Sequence, residues 1–318
     1  MKLITFDNIQ ELGLTPEICY QWVEEMIVRK KEALLPAKIS MKPFEGAFCN
    51  VMPCIISHSE MGRVGGVKIV TRYPERTPSL DSRLLLFDAD SGDFLALMDA
   101  DWITAMRTGA VAAHSVMTFA KKDFSVIGMM GLGNTARATL LALAGIFPKR
   151  EIKVKLLKYK GQEQLFVQRF SGYVNLDFEY VDDSRTLVKG ADVVISAATY
   201  LEQDICDDAC LDEGVLVVPI HTRGFSNCDL FFDKVYADDY AHVHHFKNFE
   251  KFKSFAEVSD AINGRAAGRE NDRERILVYN IGLSIHDINY AAYIYQMLKN
   301  RTDLTDIDLK EPEEKFWI

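Results

Sequence analysis

The chain has 318 residues, of which 48% are hydrophobic, so it is long enough to form two domains with sizeable cores. Its 37 basic and 46 acidic residues give a net charge of −9, which argues against a nucleic-acid-binding protein or a protein of anionic membrane surfaces. No apolar run approaches the ~20 residues that a membrane-spanning helix needs, and the first residues lack the apolar core of a signal peptide. The six cysteines are scattered through a chain too large to depend on disulfides, which predicts free thiols in the cytoplasm.

The N-terminal third predicts one helix followed by a small sheet. Thr15-Pro16-Glu17 combines a capping residue, a proline at the first helical position and an early acid, so a helix is expected to begin here and to run to about Leu34. Proline residues end it, and the apolar runs that follow predict four strands: Ala47–Ile56, Arg63–Val70, Leu84–Asp88 and Phe94–Met98. The polar turn between the last two is typical of a hairpin, so residues 36–98 are expected to form a mainly antiparallel sheet.

The most informative stretch of the chain is Phe124–Gly145, which follows a second predicted helix at about Trp102–Ala120. Ser125–Met130 is an apolar run of strand length, Gly131-Leu132-Gly133 follows at once, and Asn134–Gly145 repeats apolar residues at helical spacing. A strand, a glycine turn and a helix start in this order predict a dinucleotide-binding site.

Each small residue of this turn has a physical task in such a site. Gly131 permits a sharp turn, Gly133 lets the backbone approach a pyrophosphate, and Ala136 lets the helix pack closely on the strand. The helix N-terminus offers free N–H groups to the phosphates, so Asn134 and Thr135 are cofactor-binding candidates too. The alternative interpretation is a glycine turn that arose by chance.

Strands and helices alternate in the rest of the chain. Further strands are predicted at Ile152–Leu157, Asp192–Ala197, Val215–Ile220, Lys234–Ala237 and Ile276–Tyr279. A long amphipathic helix is predicted at Ser284–Asn300, and the polar remainder is expected to be a loose tail. The alternation predicts an α/β fold with a doubly wound parallel sheet, as in a Rossmann domain.

Several separated segments are similar to one known family. They are Gly65-Gly66-Val67-Lys68, Leu86–Met98, Ile103–Ala113, the glycine turn, Ala191–Thr199 and Val278–Asp287. By these segments the chain resembles the ornithine cyclodeaminase/mu-crystallin family. The resemblance implies a Rossmann dinucleotide-binding domain, residues 121–281, inserted into an α+β substrate-binding and dimerisation domain made of residues 1–120 and 282–318. It also implies a homodimer.

The resemblance further implies an NAD(P)-dependent oxidoreductase, with hydride transfer at the α-carbon of an amino acid or its imine, as in an amino-acid dehydrogenase or ketimine reductase. Its partner would be a small-molecule amino acid, keto acid or imine, without nucleic acid or membrane. Two alternatives stay open, because a fold does not guarantee chemistry. One is an ornithine cyclodeaminase, which converts ornithine to proline plus ammonia. The other is a non-catalytic NADP(H)-binding accessory or structural protein.

Four residues are candidates for binding the substrate. A guanidinium at Arg107 can grip a carboxylate with two parallel hydrogen bonds, as the family's arginine does, and the alternative is a helix-surface arginine. By resemblance, Lys68 binds the carboxylate or shuttles a proton, with burial lowering its pKa, and the alternative is an edge lysine that reaches solvent. Lys38 stands where the family commonly has a carboxylate-binding arginine. Met52 either lines the pocket or belongs to the core.

The remaining cofactor candidates follow from the resemblance and from the second Rossmann strand. By resemblance, Thr108, Ala198 and Thr199 contact the cofactor, the last two beside the nicotinamide. The second strand ends without the usual ribose-binding acid, and Lys158 and Lys160 stand close by, which favours a 2′-phosphate. NADP(H) is therefore the preferred cofactor. NAD(H) is the alternative, because solvent-facing lysines would give the same pattern.

One segment departs from the family pattern. Where ornithine cyclodeaminases have a catalytic aspartate, this chain has Arg223, which puts proton transfer from ornithine and ring closure in doubt. His221 is the candidate catalytic acid/base in its place, since imidazole titrates near neutrality, although a lone loop histidine is more often structural. Asp238-Asp239-Tyr240-Ala241-His242 is loosely similar to a pattern of the family's amino-acid dehydrogenases.

The run His242-Val243-His244-His245 raises a metal hypothesis. Neighbouring side chains point apart in both helix and strand, and no nearby cysteine completes a ligand set. Cys206 and Cys210 lie four residues apart without a matching second pair, so no metal is predicted.

Overall fold

The structure is a computed structural model that describes residues 1–199, 201, 204–220, 230–309 and 314. The chain divides into two compact units. Unit 1 consists of Met1–Gly13, Ala33–Trp102 and Asp287–Ile318, and unit 2 of Leu14–Glu32 and Ile103–His286.

The described part of unit 1 contains a six-stranded sheet. Its strands are β1 (Lys2–Ile4), β2 (Ile39–Met41), β3 (Phe48–His58), β4 (Gly62–Arg72), β5 (Leu80–Asp88) and β6 (Phe94–Asp99), in the order β1-β6-β5-β4-β3-β2. A short helix, α1 (Phe6–Gln10), follows β1. Strands β2 to β6 pair antiparallel, as predicted, and β1 joins β6 in parallel. β1 and β2 were not predicted from the sequence, because three residues are too few to show a period.

The two faces of this sheet differ in burial. Met52, Lys68, Leu84 and Met98 form one cross-strand row, and all four are buried. The next row, Pro53, Val67, Leu85 and Leu97, lies on the opposite face and is half-buried. The buried face carries the part of helix α9 (Ser284–Leu298) that belongs to unit 1. A Cβ added to Gly66 would lie 2.4 Å from Ile288 Cδ1, so this helix lies directly on β4.

Unit 2 is built around an eight-stranded sheet in its described part. Its strands are β7 (Val126–Met130), β8 (Ile152–Leu157), β9 (Leu176–Val181), β10 (Val193–Ser196), β11 (Leu216–Pro219), β12 (Lys234–Ala237), β13 (Phe255–Glu257) and β14 (Ile276–Tyr279). Their order is β13-β12-β14-β11-β10-β7-β8-β9, and neighbouring strands pair in parallel. This confirms the predicted Rossmann-type parallel sheet. β9 and β13, the two edge strands, were not predicted from the sequence.

Helices of unit 2 lie between these strands and before them. They are α2 (Pro16–Val28), the main part of α3 (Asp101–Phe119), α4 (Asn134–Ile146), α5 (Gln162–Arg169), α6 (Ser184–Val188), α7 (Tyr240–Val243) and α8 (Val258–Ile262). None of the described helices is long and apolar enough to cross a membrane. The five cysteines in the described part of the chain are free thiols.

The division into units differs from the expected one in two segments, residues 14–32 and 103–120. They belong to unit 2 because α2 and α3 pack on α4. A Cβ on Gly145 would lie 2.4 Å from Glu17 Oε1, and a Cβ on Gly109 would lie 2.4 Å from the Ala138 carbonyl carbon. The C-terminal boundary falls at Asp287, within α9, instead of at residue 282.

The first predicted helix begins where expected but ends early. The Thr15 hydroxyl accepts a hydrogen bond from the Ile18 N–H, and Pro16 opens α2. The helix ends at Val28 instead of near Leu34, and a 3-10 turn follows. The turn brings the Lys30 ammonium within 2.8 Å of both Asp239 and Glu257, and these two ion pairs account for the change of direction.

The predicted loose tail is ordered in its first part. Lys2 Nζ lies 2.9 Å from Asp306, and the Leu3 N–H donates to the Thr305 carbonyl, so residues 305–307 are attached beside β1. Residues 310–313 and 315–318 lie outside the described residues.

His114 on α3 predicts an acid-sensitive step in the stability of unit 2. Its ring is buried and stacks on Tyr20 of α2, with 5.6 Å between centroids. Burial disfavours the charged form and lowers the pKa of His114 from 6.5 to about 4. Since the folded pKa lies below the unfolded one, the stabilisation is complete above pH 6.5 and is lost as the pH falls towards 4. Between pH 7 and 4 we expect this to remove about 3 kcal/mol of unfolding free energy.

The variant His114→Phe keeps a ring against Tyr20 but cannot titrate. Urea unfolding at a series of pH values should therefore show a shallower acid decline for His114→Phe than for the parent. His245→Phe, at an exposed position, should keep the parent's decline. Identical declines for the parent and His114→Phe would contradict the assignment.

Candidate functional site

The glycine turn of unit 2 requires glycine at its first position. β7 ends at Met130, and Gly131 follows with φ +76°, a conformation that L-residues with a Cβ rarely adopt. An added Cβ would lie 2.3 Å from the Ala198 amide nitrogen and 2.4 Å from the Ala197 carbonyl carbon. Gly131 therefore lets the chain turn in contact with the backbone that follows β10.

Gly133 is the N-cap residue of α4, and its Cβ position is open, whereas that of Gly131 is crowded. No described atom lies within 4 Å of the position that its Cβ would take, and its φ of −82° is ordinary. No described side chain caps the helix, and its first turn has no acidic residue. The first N–H groups of this 13-residue helix therefore have no described side-chain cap at its positive end. This geometry fits the phosphates of a dinucleotide, because uncapped N–H groups bind anions.

The end of β10 lies beside this turn. Ser196 pairs with Met130 of β7, and Ala197, Ala198 and exposed Thr199 follow. The Ser196 hydroxyl is buried and makes no hydrogen bond with the described residues. After β7 the chain continues to β8, and after β10 it continues to β11, in the opposite direction along the sheet. Ligands of parallel sheets bind at such a switch point, at the carboxyl ends of the strands.

Arg107 lies at the same carboxyl edge of the unit 2 sheet. It is buried on α3, and a Cβ added to Gly282 would lie 2.7 Å from Arg107 Nη1 and 3.3 Å from Nη2. Gly282 follows the end of β14, and its N–H donates to the carboxylate of Asp238, which follows the end of β12. The guanidinium is thus held against a glycine that a buried carboxylate fixes. The alternative of a helix-surface arginine is wrong, because Arg107 is only 5% exposed.

Other predicted cofactor residues occupy different positions. Thr108 is buried, and its hydroxyl donates a hydrogen bond to the Thr104 carbonyl at 2.6 Å. Thr135 and buried Ala136 lie in the first turn of α4, next to exposed Asn134.

Lys158 and Lys160, which follow β8, are exposed, as expected for the alternative of solvent-facing lysines. Lys158 Nζ lies 2.8 Å from Asp182 Oδ1, and this hydrogen bond raises the pKa of Lys158. Lys160 has φ +51° and places its Nζ 5.1 Å from the centre of the Tyr159 ring. The Glu163 carboxylate accepts the Tyr159 N–H at 3.1 Å. Acidic groups therefore lie close to this loop, although the end of β8 has none.

Three substrate candidates belong to unit 1. Lys68 is fully buried on the inner face of the sheet, and its Nζ lies 2.7 Å from Asp287 Oδ1 of α9. An edge lysine that reaches solvent is therefore excluded. Met52 is its buried cross-strand neighbour, and Lys38 is half-buried just before β2. Asp287 was not predicted as a site residue from the sequence. The available signal was its position at the end of the family-like segment Val278–Asp287.

The predicted acid/base His221 and the divergent Arg223 lie outside the described residues. His242 is buried, and its Nδ1 lies 3.6 Å from Asp238 Oδ1, whereas His244 and His245 are exposed. Within the described ranges, no group of three or more His, Cys, Asp or Glu side chains is placed to hold a metal ion.

Comparison with known proteins identifies the family. A family model described as the ornithine cyclodeaminase/mu-crystallin family matches residues 8–302. The chain belongs to this family. A Delta(1)-pyrroline-2-carboxylate reductase of Bacillus cereus is 28% identical over 258 residues, which cover 73% of this chain and 76% of the reductase.

Two solved structures of similar proteins have the same fold. The Delta(1)-pyrroline-2-carboxylate reductase of Thermococcus litoralis, in complex with NADH and L-proline, has a TM-score of 0.83 at 23% identity and covers 96% of this chain and 100% of its own. An archaeal alanine dehydrogenase dimer with bound NAD has a TM-score of 0.82 at 22% identity, with coverage of 97% and 99%.

Proposed function

We propose that this chain is an NAD(P)-dependent oxidoreductase that acts at the α-carbon of an amino acid or of the corresponding imine. The observation that carries the proposal is the uncapped N-terminus of α4, with open space above Gly133. Family membership and the reductase of Bacillus cereus, whose name describes an imine substrate, support the reaction class.

The residues proposed to hold the cofactor come from the carboxyl edge of the unit 2 sheet. Gly131 and Gly133 keep side chains away from the pyrophosphate, and the N–H groups of Asn134, Thr135 and Ala136 bind it. Thr108, Ala198 and Thr199 are proposed as further contacts. When bound, the nicotinamide cofactor supplies or accepts a hydride, and the protein contributes binding and orientation.

Arg107 is proposed to bind the substrate carboxylate. Its guanidinium is already buried and fixed against Gly282, so little conformational entropy is lost when two parallel hydrogen bonds form. Lys68, Lys38 and Met52 of unit 1 are proposed as further substrate-binding residues. His221 is proposed as the catalytic acid/base.

NADP(H) is proposed as the preferred cofactor. Lys158 and Lys160 supply positive charge after β8, where a 2′-phosphate would need it. Asp182 competes for Lys158, and the family structures described above hold NADH or NAD, so NAD(H) is the alternative. The proposed compartment is the cytoplasm, in keeping with the free thiols of the described cysteines.

A homodimer through the outer face of the unit 1 sheet is also proposed. Ile39, Val51 and Ile69 form a cross-strand row on this face, and Ile39 and Ile69 are 58% and 43% exposed. The half-buried row from Pro53 to Leu97 continues it. Contiguous exposed apolar surface of this kind marks an interface. The alanine dehydrogenase with the same fold is a dimer.

The reaction class is tested by absorbance at the reduced-nicotinamide band. L-proline, L-alanine and L-ornithine are offered with NAD⁺ and NADP⁺, and Δ1-pyrroline-2-carboxylate or pyruvate plus ammonia with the reduced cofactors. Turnover of an amino acid or imine supports the proposal. Ornithine converted to proline without net cofactor change would assign a cyclodeaminase, and cofactor binding without any turnover would assign a binding protein.

Gly133→Val should abolish cofactor binding without unfolding the chain. The new side chain occupies open space in an extended backbone, so we expect a stability loss of about 1 kcal/mol from the poorer N-cap. The affinity for NADH and NADPH, measured by calorimetry, should fall roughly tenfold or more, because the branched side chain displaces the phosphates. Gly172→Val, also in open space, is the matched control and should bind as the parent does. Equal affinities in both variants would contradict the site.

Arg107→Lys should raise the KM for the carboxylate substrate and leave the affinity for the cofactor near that of the parent. The charge remains, but the two-pronged hydrogen bond is lost, so KM should rise roughly 10- to 100-fold. Arg273→Lys makes the same change at a surface ion pair with Glu213 and serves as the control in steady-state assays. An unchanged KM in Arg107→Lys would refute its role.

Ile69→Asp should convert the proposed dimer into monomers. A carboxylate buried at an apolar interface must lose its water, and this desolvation opposes association even beside Arg83, the cross-strand neighbour of position 69. Val174→Asp makes a similar change at a position 99% exposed in unit 2 and should remain dimeric. Light scattering coupled to size exclusion measures both masses. A dimeric Ile69→Asp, or a monomeric parent, would argue against this interface.

A further inference from the structure

The inner face of the unit 1 sheet carries an ion pair in apolar surroundings. Lys68 Nζ of β4 lies 2.7 Å from Asp287 Oδ1 of α9, and both side chains are fully buried. The cross-strand neighbours of Lys68, Met52 on β3 and Leu84 on β5, are buried and uncharged. Ile288, beside Asp287 on α9, lies against Gly66. Lys68 and Asp287 therefore place opposite charges together beside apolar neighbours.

Stability alone does not account for this pair. Removal of two charges from water commonly costs as much as their attraction returns, and an apolar pair of similar volume is often equally stable or more stable. Residues of similar size, such as methionine and leucine, already surround the pair. The charges therefore point to a task other than holding the sheet against the helix.

We propose that Asp287 is a positioning residue that fixes Lys68 as a permanent cation, so that Lys68 acts on the substrate through its charge and not as a proton shuttle. The substrate role of Lys68 rests on the proposed function, whereas the ion pair does not. The Asp287 carboxylate holds Nζ in one place and favours the protonated form of the amine. A proton shuttle must instead release its proton near the working pH. The geometry thus selects one of the two roles that the sequence left open for Lys68.

The ion pair is tested first by stability, which needs no turnover. Asp287→Asn keeps the shape of the side chain and removes the negative charge that lies 2.7 Å from the buried ammonium. The unfolded chain then holds the Lys68 proton more tightly than the folded one. The variant should therefore be less stable than the parent at pH 7 and should gain stability as the pH rises towards 10. The gain in its folding equilibrium constant should approach, at most, about tenfold per pH unit.

The control for this test removes the lysine as well. The double variant Lys68→Met/Asp287→Leu has no buried charge at this position, so the pH-dependent gain between pH 7 and 10 should disappear. If Asp287→Asn does not fold at pH 7, the double variant should fold, because it buries neither charge of the pair. Parent-like stability of Asp287→Asn, or failure of both variants to fold, would overturn the electrostatic account.

The role of Lys68 is tested by the pH profile of kcat/KM on any substrate that the parent turns over. In Asp287→Asn the amine becomes neutral at lower pH, so kcat/KM should fall roughly tenfold or more as the pH rises from 7 to 9. Asp287→Glu retains the charge and should restore much of the parent profile. Activity of Asp287→Asn that holds or rises towards pH 9 would instead identify Lys68 as a proton shuttle. A parent without turnover contradicts the proposed function, and the stability test then decides the ion pair alone.

Discussion

Gly131 has no side chain because the backbone that follows β10 leaves no room for one. The Cβ of any other residue would lie 2.3 Å from the Ala198 amide nitrogen, and the φ of +76° would strain it. The parallel pairing of Met130 with Ser196 keeps the two strand ends together. The chain must therefore turn sharply after β7, and α4 then begins without a described side-chain cap. The cofactor proposal depends on this constraint.

The ion pairs of the chain differ in how much the loss of a partner costs in stability, because they differ in burial. The exposed Lys158–Asp182 pair resembles other surface ion pairs, which contribute little to stability because water screens them. Loss of one partner from a fully buried pair such as Lys68–Asp287 typically costs about 3–5 kcal/mol. Lys158 can therefore exchange its partner at little cost to the stability of the fold. Lys68 differs in that the loss of its partner alone is costly, whereas replacement of both charges by apolar residues is expected to be tolerated.

The sequence predicted those features that depend on neighbouring residues. Apolar runs and the glycine turn are local, so β7, β8, β12 and β14 and the start of α4 were found within a residue. The helix α2 was predicted too long because its end depends on Lys30 meeting Asp239 and Glu257, more than 200 residues away. Edge strands of three residues, such as β13, carry no readable period.

The candidate site was predicted residue by residue but not as a set of contacts. Arg107 was found through the family resemblance, whereas its support by Gly282 and Asp238 joins three distant segments of the chain. Asp287 lies 219 residues from Lys68, so no spacing rule connects them. An amphipathic pattern records that a helix is buried, and it does not say which strand the helix will meet.

The central claim is that a nicotinamide dinucleotide binds over Gly131 and Gly133. A crystal structure of the chain grown with NADPH, and a second one grown with NADH, tests it most directly. The account predicts that the pyrophosphate accepts hydrogen bonds from the first N–H groups of α4, next to Ser196–Thr199. A dinucleotide bound at any other place, or crystals from millimolar cofactor that contain none, would contradict it.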